Sequence, residues 1–319
     1  MNQFTLPTVH DGAPTPWTTV EPSGTQTDSF SFAVLSDRTG GARPGVFERA
    51  IELTNQLRPD FTIQVGDCIE GYTSDPVLLK EQWAKFDTIT DRLESPLFRV
   101  PGNHDISNEM MRDEWLARYG MLYYHFRRGD VLFCVLDTQD PVNVHHQYYT
   151  GILTAGTSAT TLEEYASDGP VRASLNSGVG RPRTQHAITR ELWNGTMPIA
   201  ISDEQAEYFR NVLREHDDAR WTVLSMHMPA WQGAVVDNYR TIVDALGDRN
   251  YTAFAGHVHN YRHQEINGQQ HIRLGPTGGA VVLDGEGNAD RITIVNVGPD
   301  DPRITSFRLD TTTTVHVDA

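Results

Sequence analysis

The sequence predicts an α/β protein. Short apolar strands alternate with segments of helical periodicity, and several strands end at a breaker that is followed by a polar cluster. Residues 31–36 indicate a first strand, 44–57 an amphipathic helix with apolar residues near 3.6 spacing, and 61–65 a second strand. At 319 residues the chain is long enough for one large α/β domain or two smaller ones.

The next elements follow from local signals, in chain order. A helix at 78–93 precedes a buried strand at 97–100, because the apolar run of that strand stops at Pro101-Gly102. Residues 113–119 fit a short helix. Aromatic and β-branched residues on both sides of Arg128-Gly129-Asp130 then predict a hairpin formed by strands at 123–126 and 131–136.

The second half of the chain carries capping and turn signals. Ser202 and Gln205 form a capping-box pattern that starts a helix. Asn267-Gly268 predicts a hairpin turn between strands at 261–266 and 270–274. Apolar or alternating runs predict strands at 221–225, 251–255, 292–297 and 304–309 and a helix that contains 242–246, before a Thr-rich strand or tail.

Two stretches lack any periodicity. Residues 1–30 are rich in Pro, Thr, Ser and Gly, which predicts an extended N-terminal arm ahead of a domain over 31–319. Residues 139–198 are rich in Thr, Ser, Gly and Ala. A structureless run of this length inside a compact domain is usually a functional lid or a disordered insertion, and we interpret it as a lid-like insertion.

Composition restricts the partners and the compartment. The formal net charge of −16 argues against a broad nucleic-acid surface, because binding of polyanions depends on Lys and Arg, but it does not exclude a small phosphate ester. No apolar run approaches the roughly 20 residues that cross a bilayer, so we expect no membrane partner. Residues 1–28 lack the features of a standard secretory signal. The two cysteines, Cys68 and Cys134, lie beside or within predicted strands, which favours buried free thiols and a cytoplasmic protein.

Five polar clusters each follow a predicted strand, at Asp37, Asp67, Asn103-His104, His227 and His257/His259. Because the carboxyl ends of strands in open α/β sheets converge on one crevice, these groups are expected to meet. Apart from His104, the clusters supply two carboxylates, one amide oxygen and three imidazoles, which suit Mn, Fe, Zn, Co or Ni rather than Ca, without selecting among them. Each cluster alone has an ordinary alternative as a turn former, a helix N-cap or a core histidine. Their joint occurrence at strand ends predicts a metal site.

The order of these clusters resembles the calcineurin-like metallophosphoesterase superfamily over residues 37–259. The motifs that carry the resemblance are Asp37, Gly66-Asp67, Gly102-Asn103-His104-Asp105, His227 and Gly256-His257-Val258-His259. The resemblance implies a four-layer α/β-β/α sandwich of two mixed sheets flanked by helices, with a dinuclear metal site at the carboxyl ends of the strands. The ions it implies are divalent or trivalent transition metals such as Mn, Fe or Zn.

Residue roles follow from the same resemblance. It implies that Asp67 bridges the two ions, that Asn103, His227 and His257 hold one of them, and that Asp37 and His259 hold the other. It also implies that His104 protonates the leaving oxygen or stabilises the transition state, and that Asp105 orients His104.

The sequence departs from the family pattern in its first motif. The family usually has Asp-x-His there, whereas this chain has Asp37-Arg38-Thr39. Purple acid phosphatases, a branch of the superfamily, also lack this histidine and ligate through a tyrosine three residues after the bridging aspartate, a position that is Glu70 here. We hypothesise that Glu70 replaces the missing histidine as a ligand of the ion that the first motif helps to hold. A solvated glutamate is the alternative, and Thr39 and Tyr72 are weaker candidate ligands.

These features predict a metal-dependent phosphoesterase that hydrolyses a small phosphate mono- or diester by attack of a metal-bridging hydroxide. Arg38, Asn103 and His104 are the expected substrate contacts, although an outward ion pair is an equal alternative for Arg38. A non-catalytic binding or scaffold protein on the same fold, with a degenerate metal site, is the alternative function. Metal-dependent cleavage of a bond other than a phosphoester also stays open, because ligands alone do not select the substrate.

Overall fold

The protein is described by a computed structural model that covers residues 4–19, 29–140, 199–232, 236–281, 287–309 and 315–318. The helices in this part of the chain are α1 (Val46–Leu57), α2 (Pro76–Thr90), α3 (Glu109–Tyr119), α4 (Asp203–Glu215) and α5 (Asp237–Leu246). The strands are β1 (Phe4–Thr5), β2 (Phe30–Ser36), β3 (Phe61–Val65), β4 (Leu97–Val100), β5 (Tyr124–Arg128), β6 (Val131–Leu136), β7 (Trp221–Met226), β8 (Tyr251–Ala255), β9 (Arg262–Ile266), β10 (Gln269–Arg273), β11 (Arg291–Val297), β12 (Arg303–Leu309) and β13 (Val315–Asp318). The predicted lid-like insertion, residues 139–198, lies outside the described residues except for positions 139–140.

The strands form two mixed sheets. The six-stranded sheet has the order β13-β12-β11-β2-β3-β4, in which β2, β3 and β4 run parallel. The seven-stranded sheet has the order β1-β5-β6-β7-β8-β10-β9, in which β6, β7, β8 and β10 run parallel. Each sheet therefore has a parallel centre whose strand ends lie along one edge, which is the arrangement that gathers polar loop residues.

An aromatic core fills the space between the two sheets. Phe32, Phe61 and Phe98 from the six-stranded sheet and Phe126 and Phe133 from the seven-stranded sheet are all buried in it. The ring centroids of Phe61 and Phe133 are 5.4 Å apart in an edge-on contact across the sheets. Aromatic pairs of this geometry stabilise a core by about 0.5–1.5 kcal/mol beyond the area they bury.

Helices cover the outer face of each sheet. Buried side chains of α1, α2 and α3, including Phe47, Trp83 and Trp115, pack with residues of the six-stranded sheet. Buried side chains of α4 and α5, including Phe209 and Ile242, pack with β6, β7 and β8 of the other sheet. The predicted four-layer sandwich of two mixed sheets flanked by helices is confirmed.

Most element predictions agree with the structure, and the differences have local causes. Helix α3 begins at Glu109, four residues before the predicted start at 113, because the Asn108 side chain accepts a hydrogen bond from Met111 N at 3.0 Å and caps the helix. The predicted cap of α4 is present, with Ser202 Oγ accepting from Gln205 N at 3.2 Å. Cys68 and Cys134 are buried and free, as predicted.

Part of the N-terminal arm packs onto the core. Phe4 and Thr5 form β1, which pairs antiparallel with β5. Trp17 is buried and bridges to Phe98. The described part of the arm therefore contacts both sheets, through β1 beside β5 and through Trp17 beside β4. The domain boundary at residue 30 stays a prediction. Within the described residues, no helix combines the length and the apolar character needed to cross a membrane.

Candidate metal centre

The predicted ligand residues come from both sheets and meet where the strands end. Asp37 follows β2 and Asp67 follows β3 in one sheet, while His227 follows β7 and His257 and His259 follow β8 in the other. Two groups have ligand atoms that all lie within 4.8 Å of one another: Asp67 with His227 and His257, and Asp37 with Asp67 and His259. Asp67 belongs to both groups, so its carboxylate lies where one residue can serve two ions.

The first group is held in place by hydrogen bonds of the imidazoles. His227 Nε2 lies 3.1 Å from Asp67 Oδ1 and 3.3 Å from His257 Nδ1. His227 Nδ1 donates to the carbonyl oxygen of Val65 at 2.9 Å, and since a carbonyl only accepts, Nε2 is the nitrogen that faces the group. This is the backing that orients histidine ligands in metal sites.

Asn103 adds an oxygen beside this group. Its side chain is 2 % exposed, and its Oδ1 has no hydrogen-bond partner among the described residues. The backbone N–H of the next residue, His104, donates to Asp67 Oδ1 at 3.1 Å, which brings the loop after β4 against the bridging carboxylate. A buried carbonyl oxygen without a donor is destabilising unless a cation or a water satisfies it, so Asn103 fits a metal ligand.

The second group has the same kind of backing. His259 Nε2 lies 3.3 Å from Asp37 Oδ1, and His259 Nδ1 donates to the carbonyl oxygen of Ala280 at 2.7 Å. Asp37 is fully buried; its Oδ1 accepts from the backbone N–H of His257 at 2.8 Å, and its Oδ2 accepts from the Ser36 hydroxyl. Three protein ligands are the number that catalytic zinc sites commonly use, because a coordination position then stays open.

Charge and backbone conformation set this cluster apart from an ordinary turn. Burial alone raises the pKa of Asp67, but the imidazoles of His227 and His104 outweigh it and hold the pKa below its usual range. Burial alone lowers the pKa of His227, whereas the Asp67 carboxylate raises it to about 9. Asp67, His257 and His259 also have φ values of 55°, 70° and 55°, in the left-handed region that non-glycine residues seldom adopt. Strained backbone of this kind is concentrated at functional sites.

His104 lies at the edge of this cluster and reaches solvent. Its side chain is 20 % exposed, and Nε2 lies 3.9 Å from Asp67 Oδ2. Its Nδ1 donates to the carbonyl oxygen of Glu70 at 2.7 Å, so Nε2 is the nitrogen that faces the centre. The ring is therefore oriented by a backbone carbonyl.

The expectation that Asp105 orients His104 needs correction. The Asp105 carboxylate is fully buried and accepts from the backbone N–H groups of Cys68 at 2.8 Å, Ile69 at 3.2 Å and Gly102 at 2.8 Å. It thereby ties the loop after β3 to the loop after β4. Burial raises the pKa of Asp105 to about 7, and the nearby Asp67 charge adds to this rise.

Arg38 is anchored on the loop after β3, so its hydrogen bonds do not support its assignment as a substrate contact, which stays a prediction. Its side chain is buried, Nη1 donates to the carbonyl oxygen of Cys68 at 2.8 Å, and the guanidinium lies 5.9 Å from the ring centre of Phe47. The alternative of an outward ion pair does not agree with this burial either.

Glu70 makes contacts that the ligand hypothesis did not include. It is exposed, and its carboxylate accepts from the backbone N–H of Ala42 at 2.7 Å and of Gly41 at 3.3 Å. It belongs to neither group of clustered ligand atoms. Thr39, a weaker candidate, donates its hydroxyl to the carbonyl oxygens of Asp67 at 3.0 Å and Ile69 at 2.6 Å, so it braces the loop.

Sequence reasoning missed the residues that shape the loops around the ligands. Gly40 has a φ of 74°, and a Cβ there would lie 3.0 Å from His259 Cε1 and 3.6 Å from His104 Nε2, so only glycine leaves room between the two rings. Ser36, which donates to Asp37, lies inside a predicted strand and carried no separate signal. The Gly40-Gly41 pair was visible in the sequence and marks this tight turn.

The fold and the site together define a class: an α/β sandwich with a carboxylate–imidazole cluster at the meeting edge of its sheets. Residues 30–261 match the calcineurin-like phosphoesterase family, and the chain belongs to this family. The match covers most of the chain and confirms the family resemblance. Family membership classes the chain with hydrolases that act on phosphoric ester bonds.

Individual relatives are more distant. A serine/threonine-protein phosphatase CPPED1 from Pongo abelii is 33% identical over 99 residues, which is 29% of this chain and 31% of that protein. A dimetal phosphatase from Danio rerio has a TM-score of 0.53 at 14% identity, over 87% of this chain and 95% of that one. The structure of PhoD has a TM-score of 0.55 at 13% identity, over 94% of this chain and 70% of that one. The two structural matches support the fold, and the CPPED1 match spans about a third of that relative.

Proposed function

We propose that this protein is a metal-dependent phosphoesterase that hydrolyses a small phosphate mono- or diester. The observation that carries the proposal is the pair of ligand groups that share Asp67, with all ligand atoms of each group within 4.8 Å. The partly similar phosphatases, the CPPED1 relative and the dimetal phosphatase, support the same reaction class. When bound, two transition-metal ions supply Lewis acidity and lower the pKa of a coordinated water toward neutrality.

The residues of the centre would have two roles, which are to hold the metal ions and to transfer a proton. Asp67 would be shared by the two ions. His227, His257 and the unpartnered oxygen of Asn103 would be the other ligands of one ion, and Asp37 and His259 would be the other ligands of the second ion. Mixed oxygen and nitrogen donors favour Mn, Fe or Zn over Ca and do not choose among them.

His104 would supply the proton for the leaving oxygen. It reaches solvent while its Nδ1 is occupied by the Glu70 carbonyl, which leaves Nε2 to exchange a proton with a group bound at the centre. General acid help of this kind contributes about 10²–10⁴-fold in rate.

The substrate and compartment follow from charge and thiol state. A net charge of −16 disfavours nucleic acid, so we propose a small-molecule ester whose phosphate is attracted locally by the bound cations. Two buried free cysteines agree with a reducing compartment such as the cytoplasm.

Metal analysis combined with hydrolysis of an aryl phosphate and an aryl phosphodiester tests the proposal. The purified wild-type protein should take up two transition-metal ions and cleave at least one of the two esters. Asp67→Asn should lose ions and activity together. His104→Ala should keep its ions and lose about 10²–10⁴-fold in rate.

The matched control is Asp218→Asn, which removes an exposed carboxylate paired with Arg127 and should behave like wild type. Wild-type protein that binds no transition ion, or that binds ions and cleaves neither ester, would contradict the proposal. Full activity in His104→Ala would contradict the role of that residue alone.

A further inference from the structure

The Asn103 amide has two ends in different surroundings. Its Nδ2 donates to the Tyr72 hydroxyl at 2.9 Å, whereas its Oδ1 is buried without a hydrogen-bond partner among the described residues. A terminal amide rotates in a broad torsional well, so its plane is set by the contacts at its ends. A contact that fixes Nδ2 therefore also fixes the direction of Oδ1.

We propose that Tyr72 is a positioning residue that holds the Asn103 amide with its oxygen toward the metal centre. The inference rests on the proposed function, because it takes Asn103 Oδ1 to be a metal ligand. A cation attracts the amide oxygen and repels the NH₂ group, so only the orientation with Nδ2 on Tyr72 serves binding. Tyr72 acts through Asn103 and is not itself a ligand in this arrangement, since its hydroxyl contacts the end of the amide that carries hydrogens.

The backbone around Tyr72 is built to place this side chain. Tyr72 has a φ of 48°, a left-handed conformation that is rare for a bulky residue and persists only where its surroundings impose it. The preceding Gly71 donates its N–H to Gln82 Oε1 at 2.8 Å, and a Cβ on Gly71 would collide with the carbonyl group of His104. The loop after β3 therefore folds directly against the loop after β4.

The ring of Tyr72 adds a second contact in the same region. It stands edge-on to the His104 imidazole, with ring centres 4.7 Å apart and an angle of 81° between the planes. The ring and the hydroxyl thus touch consecutive residues of the loop after β4. Removal of the hydroxyl alone separates the contact with Asn103 from the contact with His104.

A double-mutant cycle on metal affinity tests the inference without relying on turnover. Wild type, Tyr72→Phe, Asn103→Ala and the double variant are titrated with Zn²⁺ or Mn²⁺ in competition with a chromogenic chelator. Loss of a residue that orients a ligand typically weakens metal binding by about 10–100-fold, and we expect this loss in Tyr72→Phe. In the Asn103→Ala background the same change should alter affinity by no more than about twofold, because the residue through which Tyr72 acts is gone.

Tyr208→Phe is the matched control. It deletes the same atom from a tyrosine whose hydroxyl contacts His125 Nδ1 at 2.7 Å, away from the centre, and should leave metal affinity unchanged. Tyr72→Leu removes both the hydroxyl and the ring, and it should weaken metal binding at least as much as Tyr72→Phe. It replaces Tyr72→Phe in the cycle if Tyr72→Phe does not fold.

The outcomes separate this inference from the proposed function. Two ions held by Tyr72→Phe as tightly as by wild type would overturn the inference and leave the proposed function standing. An equal loss in the presence and absence of Asn103 would also overturn it, because Tyr72 would then act by another route. Failure of wild type to bind any ion would overturn both.

Discussion

Asp67 is the residue on which the whole centre depends, because both ligand groups contain it. The residue is 1 % exposed, and burial without partners would make its charged form costly. The imidazole of His227 at 3.1 Å and the backbone N–H of His104 at 3.1 Å stabilise the charged form in the metal-free chain. The same histidine must give up a proton before it can bind a cation, so proton and metal compete at this residue.

This competition predicts that metal affinity rises with pH. The Asp67 carboxylate raises the pKa of His227 to about 9, and the Asp37 carboxylate raises the pKa of His259, in both cases against the effect of burial. Both imidazoles are therefore protonated at low pH and must be neutral to ligate. Apparent affinity should rise from pH 6 to pH 9 by about tenfold per unit for each proton released, and level off above that range.

Chelator competition at pH 6, 7, 8 and 9 measures this slope, with proton release followed by calorimetry in two buffers. Asp218→Asn is the control, because this exposed residue is outside both ligand groups, and its slope should match wild type. A flat profile over this range would show that His227 is already neutral in the metal-free protein.

Glu70 offers a second test at this scale. Its carboxylate accepts hydrogen bonds from the N–H groups of Gly41 and Ala42. Asp37, Asp67 and His259 form a group of three ligands without it. We therefore expect Glu70→Ala to retain two ions and to bind them no more than a few fold more weakly, on the order of 1 kcal/mol for a lost hydrogen bond. Glu70→Gln, which keeps an oxygen for the same N–H groups, is the matched variant and should be closer still to wild type. Loss of one ion in both variants would restore the hypothesis that Glu70 is a ligand.

At the scale of elements, the loops after the strands position the ligands through close backbone contacts. A Cβ on Gly102 would collide with the backbone nitrogen and Oδ1 of Asp67, and a Cβ on Gly66 would lie 2.6 Å from His227 Nδ1. Glycines at these places allow the loops after β3, β4 and β7 to approach one another. The loops therefore pack closely against one another, although they lie at an edge of the sheets.

Gly102→Ala is expected to disrupt both ion sites. The added methyl group must displace Asp67, whose carboxylate both groups share, and overpacking of this kind costs about 1–3 kcal/mol of stability. Gly298→Ala is the control, because its Cβ would meet only Ser29 Oγ at 3.7 Å, an ordinary contact. Metal stoichiometry and thermal unfolding of the two variants decide the matter, and two ions in Gly102→Ala would show that the loop can shift without cost to the site.

The sequence was sufficient where a local signal determines the structure. The predicted bounds of β3, β4 and β8 agree with the structure to the residue, since each is an apolar run that stops at a glycine or proline breaker. Strand ends converge as sheet geometry requires, so Asp37, Asp67, His227, His257 and His259 were predicted from position alone. Periodicity failed at the start of α3, because Asn108 caps a first turn with few apolar residues.

The direction of a side chain within a loop could not be predicted from the sequence. Asp105 and Arg38 have the residue types that proton transfer and phosphate binding use, yet both point at backbone groups of the loop after β3. Their partners are peptide groups, which every residue carries, so no sequence pattern marks them. Tyr72 was weighed only as a ligand for the same reason, since its contact with Asn103 depends on a left-handed backbone.

At the scale of the whole molecule, the two sheets contribute different ligands to one centre. Asp37, Asp67 and Asn103 follow strands of the six-stranded sheet, and the three histidines follow strands of the seven-stranded sheet. The aromatic core joins the sheets along their inner faces, whereas at this edge they meet through buried charges. Bound cations would therefore join the two sheets and offset the repulsion between Asp37 and Asp67.

This arrangement predicts that metal stabilises the entire fold. A ligand that binds only the folded state at about 100 times its Kd adds about 2.7 kcal/mol, which corresponds to a rise in Tm of about 4 °C for a chain of this length. Differential scanning calorimetry of metal-loaded and chelator-treated protein measures the rise. His257→Ala removes a ligand from the seven-stranded side only and should lose most of the rise while its metal-free Tm stays near that of wild type, because His257 is partly exposed. If chelation leaves the Tm of wild type unchanged although two ions have been removed, the ions do not link the sheets, and the aromatic core alone holds the two layers together.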